Sequence, residues 1–246
     1  MPGQRPQLSR HVEPAAPPPT VLQILEQERA RPDAAVRDGI RQLLAGVRRL
    51  NRRVERIEHG GATEATDVLL RATVPPAVRV SVMIPAFNAR RIVVGALESV
   101  YAAAHEDDAP IVEIALVDDA SPQDDGAAVV DWAAAHPDLP VTVLRHHCNR
   151  GLARARNTAL GRATGDVVLP LDADNTLRPR GLRRLLDGLD AEPDATFAYG
   201  LLQEFDTGGP VGLRGLYPWD PVRLRRGNYI DALSLIRRDV LRNAGG

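Results

Sequence analysis

The chain has 246 residues, 31 basic and 32 acidic side chains, and a net charge of −1. That balance excludes a chain-wide field able to recruit nucleic acid or anionic lipid, so an anionic ligand has to be held by a local site. The one cysteine, Cys148, excludes an internal disulfide framework and fits a reducing compartment, which makes the cytoplasm the expected location.

The length suffices for one globular core and an appendage. No stretch reaches the ~18 uninterrupted apolar residues of a membrane span, and the prolines and arginines of the amino terminus lack the apolar core of a signal peptide. The inner membrane face is the alternative location, as a peripheral protein. All the basic side chains are arginine, which reads as base composition of the coding sequence.

Residues 1–20 are rich in proline and poor in large apolar groups, too few to offset the entropy of ordering, so a disordered leader is expected there. Residues 21–60 turn helical, with Pro32 as a break. Within them Ile40, Leu43, Val47, Leu50, Val54 and Ile57 recur at steps of three and four. That is a heptad stripe, which makes 40–57 a candidate for self-association or for docking on the following domain. The arginines Arg48, Arg49, Arg52, Arg53 and Arg56 opposite the stripe read as ordinary solvated surface. Gly60 and Gly61 end this segment, and a linker over 61–78 that includes Pro75 and Pro76 leads to the domain expected over 79–246.

From Arg79 onward strands and helices alternate. Val80 to Pro85 is a strand, followed by a helix carrying Val93, Leu97 and Val100. Ile111 to Val117 is a second strand, and Ser121, Pro122 and Asp124 predict an N-cap, a first-turn proline and a capping-box acid for a helix to about Ala135. Val141 to Leu144 is a third strand. Leu152, Ala155, Ala159 and Ala163 predict the buried face of the next helix, which Gly165 closes. Asp166 to Leu171 is a fourth strand, Leu182, Leu185, Leu186 and Leu189 mark another helix, and Thr196 to Leu202 reads as a strand. Repeated β-α-β units with short connections predict an α/β fold with a mainly parallel sheet covered on both faces, and such sheets bind ligands at the carboxyl ends of their strands.

Polar residues collect at those ends: Pro85-Ala86-Phe87-Asn88 after the first strand, Asp118-Asp119-Ala120-Ser121 after the second, Asp172-Ala173-Asp174-Asn175 after the fourth. Carboxylates two residues apart can face one side and share a hard divalent cation, so Asp172 and Asp174 are candidate ligands for Mn2+ or Mg2+. Such an ion would neutralise a diphosphate as it leaves. The alternative is an Asp-rich turn capping backbone amides. One of Asp118 and Asp119 is free to cap the following helix and the other to reach ligand. Phe87 suits stacking under a planar base, or the core. His146, His147 and Cys148, three in a row, cannot easily wrap one tetrahedral ion, and no G-x-G-x-x-G follows the first strand.

The succession Val80 to Asn88, Val117-Asp118-Asp119-Ala120-Ser121, Asn149-Arg150-Gly151-Leu152-Ala153 with Ala155-Arg156-Asn157, and Leu171-Asp172-Ala173-Asp174 resembles family 2 glycosyltransferases, over about Arg79 to Gly246. The resemblance implies a GT-A, Rossmann-like nucleotide-sugar-binding domain preceded by an N-terminal helical segment, and an inverting single displacement. It implies that Asp119 hydrogen-bonds the base, usually uracil, and that Pro85 and Phe87 line the base pocket. Asp172 would face ribose or metal-bound water, and Asp174 would coordinate the cation bridging the diphosphate. Arg156 and Asn157 match an Arg-Asn pair near the nucleotide, with a structural ion pair as the other reading of Arg156. The partners implied are a nucleotide-sugar donor and a saccharide, lipid or protein acceptor, with no nucleic acid.

In the family an acidic residue that activates the acceptor follows the position of Gly245-Gly246, so the base is expected beyond Gly246 and no catalytic residue is assigned. Asp206, Asp220 and Asp231 are the substitutes within the chain. Two other readings compete. One is a non-catalytic sugar-nucleotide-binding or assembly module. The other is a haloacid-dehalogenase-like phosphatase with Asp172 as nucleophile, which requires the Asp-x-Asp on the first strand.

Overall fold

The computed structural model describes residues 66–245. The leader expected over 1–20, the helical segment over 21–60 and its stripe at 40–57 lie outside the described residues. Nine strands are described: β1 Thr66–Leu70, β2 Val80–Ala86, β3 Val112–Asp118, β4 Val141–His146, β5 Val167–Pro170, β6 Phe197–Ala198, β7 Leu202–Asp206, β8 Gly209–Arg214 and β9 Leu235–Arg237. The described helices are α1 Val93–Ala104, α2 Asp125–Ala135, α3 Leu152–Arg162, α4 Gly181–Ala191, α5 Pro221–Arg226 and α6 Arg238–Ala244.

The main sheet runs β1-β4-β3-β2-β5-β9-β6. Its centre, β4-β3-β2-β5, is parallel, and the flanking strands β1 and β9 are antiparallel to their neighbours. Every residue of β2 and β3 is buried. Central parallel strands covered on both faces require such runs, and the sequence supplies them. Pro85 fits inside β2 because the pairing with β5 extends only to Met83 opposite Pro170, so its missing N–H interrupts no bond on that side.

One face of the sheet packs Val82, Ile84 and Leu116 against Leu97 and Val100 of α1, Val129 and Trp132 of α2, and Leu182, Leu186 and Leu189 of α4. The other face packs Met83, Ala115, Val117, Leu144 and Val168 against Ala155, Ala159 and Leu160 of α3. Alanines at the contact let α3 lie close to β2 and β3. Leu152, expected on that buried face, is 52% exposed. It opens the helix, where the first turn projects past the strand ends.

Three further expectations are corrected, and two elements were not expected. The linker over 61–78 contains β1, which pairs with β4 with a bulge between Val68 and Leu70. Its middle residues are exposed, so it carries no apolar alternation to read, and Leu69 is held instead against Gly126 of α2. Helix α2 starts at Asp125 with Asp124 as N-cap, accepting from Ala127 N, rather than at Pro122 behind Ser121. Ser121 is committed elsewhere, as described below. The strand expected over Thr196 to Leu202 is two strands in two sheets, β6 in the main sheet and β7 in a separate hairpin with β8. Between them Gly200 meets Gly215, whose φ is 74° and where a Cβ would stand 2.5 Å from the Gly200 carbonyl oxygen. Only glycine fits at 215. Strand β9 and helix α6 were not expected as elements.

At the amino ends of the strands, buried Glu113 accepts on Oε1 from Ser81 Oγ (2.6 Å), Thr164 N (2.6 Å) and Thr164 Oγ1 (2.8 Å), while Gly165 N donates to Ser81 Oγ (2.8 Å). This knot ties the end of α3 to β2 and β3. A Cβ at 165 would lie 2.8 Å from Ser81 N and 3.0 Å from Val80 C, both backbone atoms of the central strand. Gly165→Ala is therefore expected to lower stability by about 1–3 kcal/mol, read as a shifted urea midpoint at unchanged m-value.

Candidate active site

The loops after β2, β3, β4 and β5 emerge side by side at one edge of the parallel centre. Asp118 is wholly structural. It is fully buried, and its carboxylate accepts from Ser121 N (2.8 Å), Gly126 N (3.3 Å) and Arg145 Nη1 (3.0 Å). Ser121 Oγ donates to Asp125 Oδ2 (2.8 Å) and accepts from Asn88 N (3.0 Å), and Asp125 Oδ2 also accepts from Ala89 N (2.6 Å). These bonds hold the β2 loop against the start of α2. They also stabilise Asn88 at φ 56°, a left-handed conformation that asparagine tolerates better than most residues.

Asp119 is 3% exposed, and it too is engaged. Oδ1 accepts from His146 Nδ1 (2.6 Å) and Arg150 N (2.9 Å), and Oδ2 accepts from Gly151 N (2.7 Å). The aspartate thus anchors the turn into α3, whose N-cap Gly151 sits at φ 83°. An ionised carboxylate only accepts, so His146 carries its proton on Nδ1, and in the neutral ring Nε2 accepts from the Thr158 hydroxyl at 2.9 Å. Both aspartates beside β3 are thus engaged by nearby donors, and Asp119 Oδ2, which takes Gly151 N alone, keeps an acceptor site for a ligand. Sequence reasoning also missed His146 and Thr158. In the sequence His146 stands out only as part of the His146-His147-Cys148 run, and no local pattern announces a partner 27 residues away.

Helix α3 carries the site from Asp119 across to β5. Arg156, one turn into it, donates from Nη2 to Asp172 Oδ1 at 2.6 Å, while the buried Nε of Arg156 has no hydrogen-bond partner among the described residues. Asp172 is partly buried and Asp174, in the same turn, is exposed. The carboxylate of Asp174 makes no hydrogen bond among the described residues. Asn175 N closes the turn by donating to Asp172 O at 2.9 Å. Phe87 is 47% exposed at the end of β2. Pro85 is buried within β2 opposite Val117, and Asn157 is exposed on α3. The structure thus brings Asp119, Arg156 and Asp172 together through α3, with Phe87 and Asp174 on the same edge, while Pro85 lies beneath it.

Among the described residues no three His, Cys, Asp or Glu side chains converge on one cation position. Asp172 and Asp174 offer two hard oxygen donors on one turn. That set suits Mg2+ or Mn2+, which keep several waters and complete their shell with phosphate oxygens. His146 and His147 have separate partners, Asp119 and, at 3.0 Å, Asp67. The phosphatase alternative is not supported, because Asp172 follows β5 rather than the first strand.

Comparison with known proteins gives the same picture. A family model of glycosyl transferase family 2 matches residues 81–243. The succinoglycan biosynthesis protein ExoO of Rhizobium meliloti (strain 1021) is 36% identical over 121 residues, 48% of this chain and 32% of that protein. Polyprenol monophosphomannose synthase of Mycolicibacterium smegmatis is 36% identical over 129 residues, 50% of this chain and 45% of that protein. The matched segment therefore spans 32% to 45% of these relatives. Among solved structures, the mannosyltransferase PcManGT from Pyrobaculum calidifontis in complex with GDP-Man and Mn2+ superimposes with a TM-score of 0.53 at 26% identity, over 72% of this chain and 51% of that one. The GT-A architecture, the polar edge of the parallel strands and a family match covering most of the chain agree: this protein belongs to glycosyl transferase family 2.

Proposed function

We propose that the chain transfers a glycosyl group, with inversion, from a nucleoside-diphosphate sugar, UDP-linked as the first expectation, to a lipid phosphate. The observation that carries the donor reading is the span of α3. Its amino terminus is fixed by Asp119 and its Arg156 reaches Asp172, so one helix spans from what would be the base end of the donor to what would be its diphosphate end. Phe87 would stack on the base and Arg156 would face the phosphates. Asp172 and Asp174 would hold Mn2+ or Mg2+, which when bound supplies Lewis-acid stabilisation of the departing diphosphate.

The acceptor reading rests on the polyprenol monophosphomannose synthase among the relatives and on chemistry. A phosphate monoester is anionic near neutral pH, with a second pKa of about 6, so its oxygen is already a nucleophile. This reading asks for no general base from the chain. A sugar hydroxyl acceptor would need one, a contribution of roughly 10²–10⁴-fold.

Calorimetric titration of the full chain with UDP and GDP, each with and without Mn2+, tests the donor reading. Binding of at least one nucleotide that depends on the cation is the expected result, and equal affinity with and without it would overturn the metal assignment. Incubation of the matching labelled nucleotide sugar with short-chain polyprenyl phosphate tests the acceptor. Labelled lipid is expected, and nucleotide binding without transfer would favour a binding module instead.

A further inference from the structure

His146 is a buried histidine at the edge of the site to which the donor reading gives no task. Its ring lies between the loop after β3 and helix α3. Nδ1 donates to Asp119 Oδ1 at 2.6 Å, and Nε2 accepts from Thr158 Oγ1 at 2.9 Å. The imidazole and the carboxylate are 0% and 4% exposed, so water does not readily replace either partner, and in such surroundings a hydrogen bond fixes geometry strongly.

An ionised carboxylate has about two acceptor sites on each oxygen. On Asp119, Oδ1 takes both His146 Nδ1 and Arg150 N and is full, whereas Oδ2 takes Gly151 N alone. A single acceptor site is left. Beside it stands the end of β2: Asp119 N donates to Ala86 O at 2.8 Å, and the next residue along that strand end is the half-exposed Phe87.

We propose that His146 is a positioning residue for the nucleotide base. By filling Oδ1 it holds the Asp119 carboxylate so that Oδ2 offers a base one acceptor and no second. The inference rests on the donor reading and deepens it. Uracil presents one ring N–H between two carbonyl oxygens, which a lone acceptor matches. Guanine presents two adjacent donors, N1–H and N2–H, and the second would meet an occupied Oδ1 and stay unpaired in a closed site, which lowers affinity. His146 thereby favours uracil over guanine without touching either. Because Asp119 only accepts, the ring keeps its proton on Nδ1, and the Thr158 hydroxyl supports that form by donating to Nε2.

Calorimetric titration of the full chain with UDP and GDP in the presence of Mn2+, in the wild type, His146→Gln and His146→Asn, tests the proposal. The asparagine amide nitrogen falls where Nδ1 was and can still donate to Oδ1, whereas that of glutamine falls where Nε2 was and faces Thr158. The wild type is expected to prefer UDP by at least about tenfold. His146→Gln should weaken UDP roughly tenfold and GDP much less, so that the preference closes, and His146→Asn should restore most of it. A loss of stability alone would lower both affinities together and leave their ratio unchanged. In the wild type without nucleotide, isotope-labelled histidine nitrogens observed by NMR should show His146, identified by the signal missing from His146→Asn, as the neutral Nδ1–H tautomer. That tautomer and the wild-type preference decide the matter even where His146→Gln fails to fold. An Nε2–H tautomer, equal wild-type affinity for UDP and GDP, or an unchanged ratio in folded His146→Gln would overturn the inference and leave the donor reading standing. A wild type that binds neither nucleotide would sink the donor reading and the inference with it.

Discussion

Asp174→Ala is expected to remove the cation dependence of nucleotide binding and to slow sugar transfer by at least about a hundredfold, while leaving the unfolding midpoint where it was. The size follows from the several kcal/mol that a Lewis acid contributes at a departing diphosphate. The unchanged midpoint follows from position. Asp174 is exposed and bonded to nothing among the described residues, and surface substitutions of that kind usually move stability by less than about 0.5 kcal/mol. Calorimetry with and without Mn2+, a transfer assay and a urea titration read the three quantities on one sample. A variant that loses stability and activity together would mean that Asp174 serves the turn rather than a cation.

Asp119→Ala should behave in the opposite way. The carboxylate is nearly inaccessible and takes three donors, His146 Nδ1, Arg150 N and Gly151 N. Alanine strands all three in a site closed to water, at a cost of about 3–5 kcal/mol. Against a usual total of about 5–15 kcal/mol, that leaves a folded but fragile protein or an unfolded one. Nucleotide binding is expected to fall with it, because the turn into α3 loses its anchor. Asp119→Asn keeps one acceptor oxygen and turns an amide toward the remaining donors, so an intermediate loss is expected. If Asp119→Ala kept its urea midpoint and lost only nucleotide affinity, the anchoring role would be wrong and direct contact with the base would carry the effect.

The contrast between these two aspartates marks how far the sequence could be read. Both were found by position, two short acidic clusters past apolar runs, and the parallel centre of the sheet was legible because β2 and β3 are unbroken apolar stretches. What distinguishes Asp119 from Asp174 was not legible. The donors that hold Asp119 come from residues 27 to 32 positions later, and their approach depends on how β4 and α3 dock. Strand β1 escaped for a different reason. It is an exposed edge whose pairing partner, β4, sets its structure, so its own residues carry little signal. Strand β9 is three residues long and is defined by the gap between β5 and β6. The pair Gly200 and Gly215 breaks what looked like one strand, a consequence of two backbones crossing rather than of either residue's local preference.

If the diphosphate binds as proposed, the Arg156–Asp172 pair gives its end of the site a resting state. Two carboxylates on one turn would repel if left alone, and the guanidinium already offsets one of them. A divalent ion entering by itself must compete with that arginine for Asp172 and finds only Asp174 unengaged. A cation arriving on a diphosphate changes the balance, since the phosphates give Arg156 somewhere else to go. Loading is then an exchange of partners in which positive charge is handed from the protein to the ligand, and the empty protein should take up metal far more weakly than the protein already offered a nucleotide.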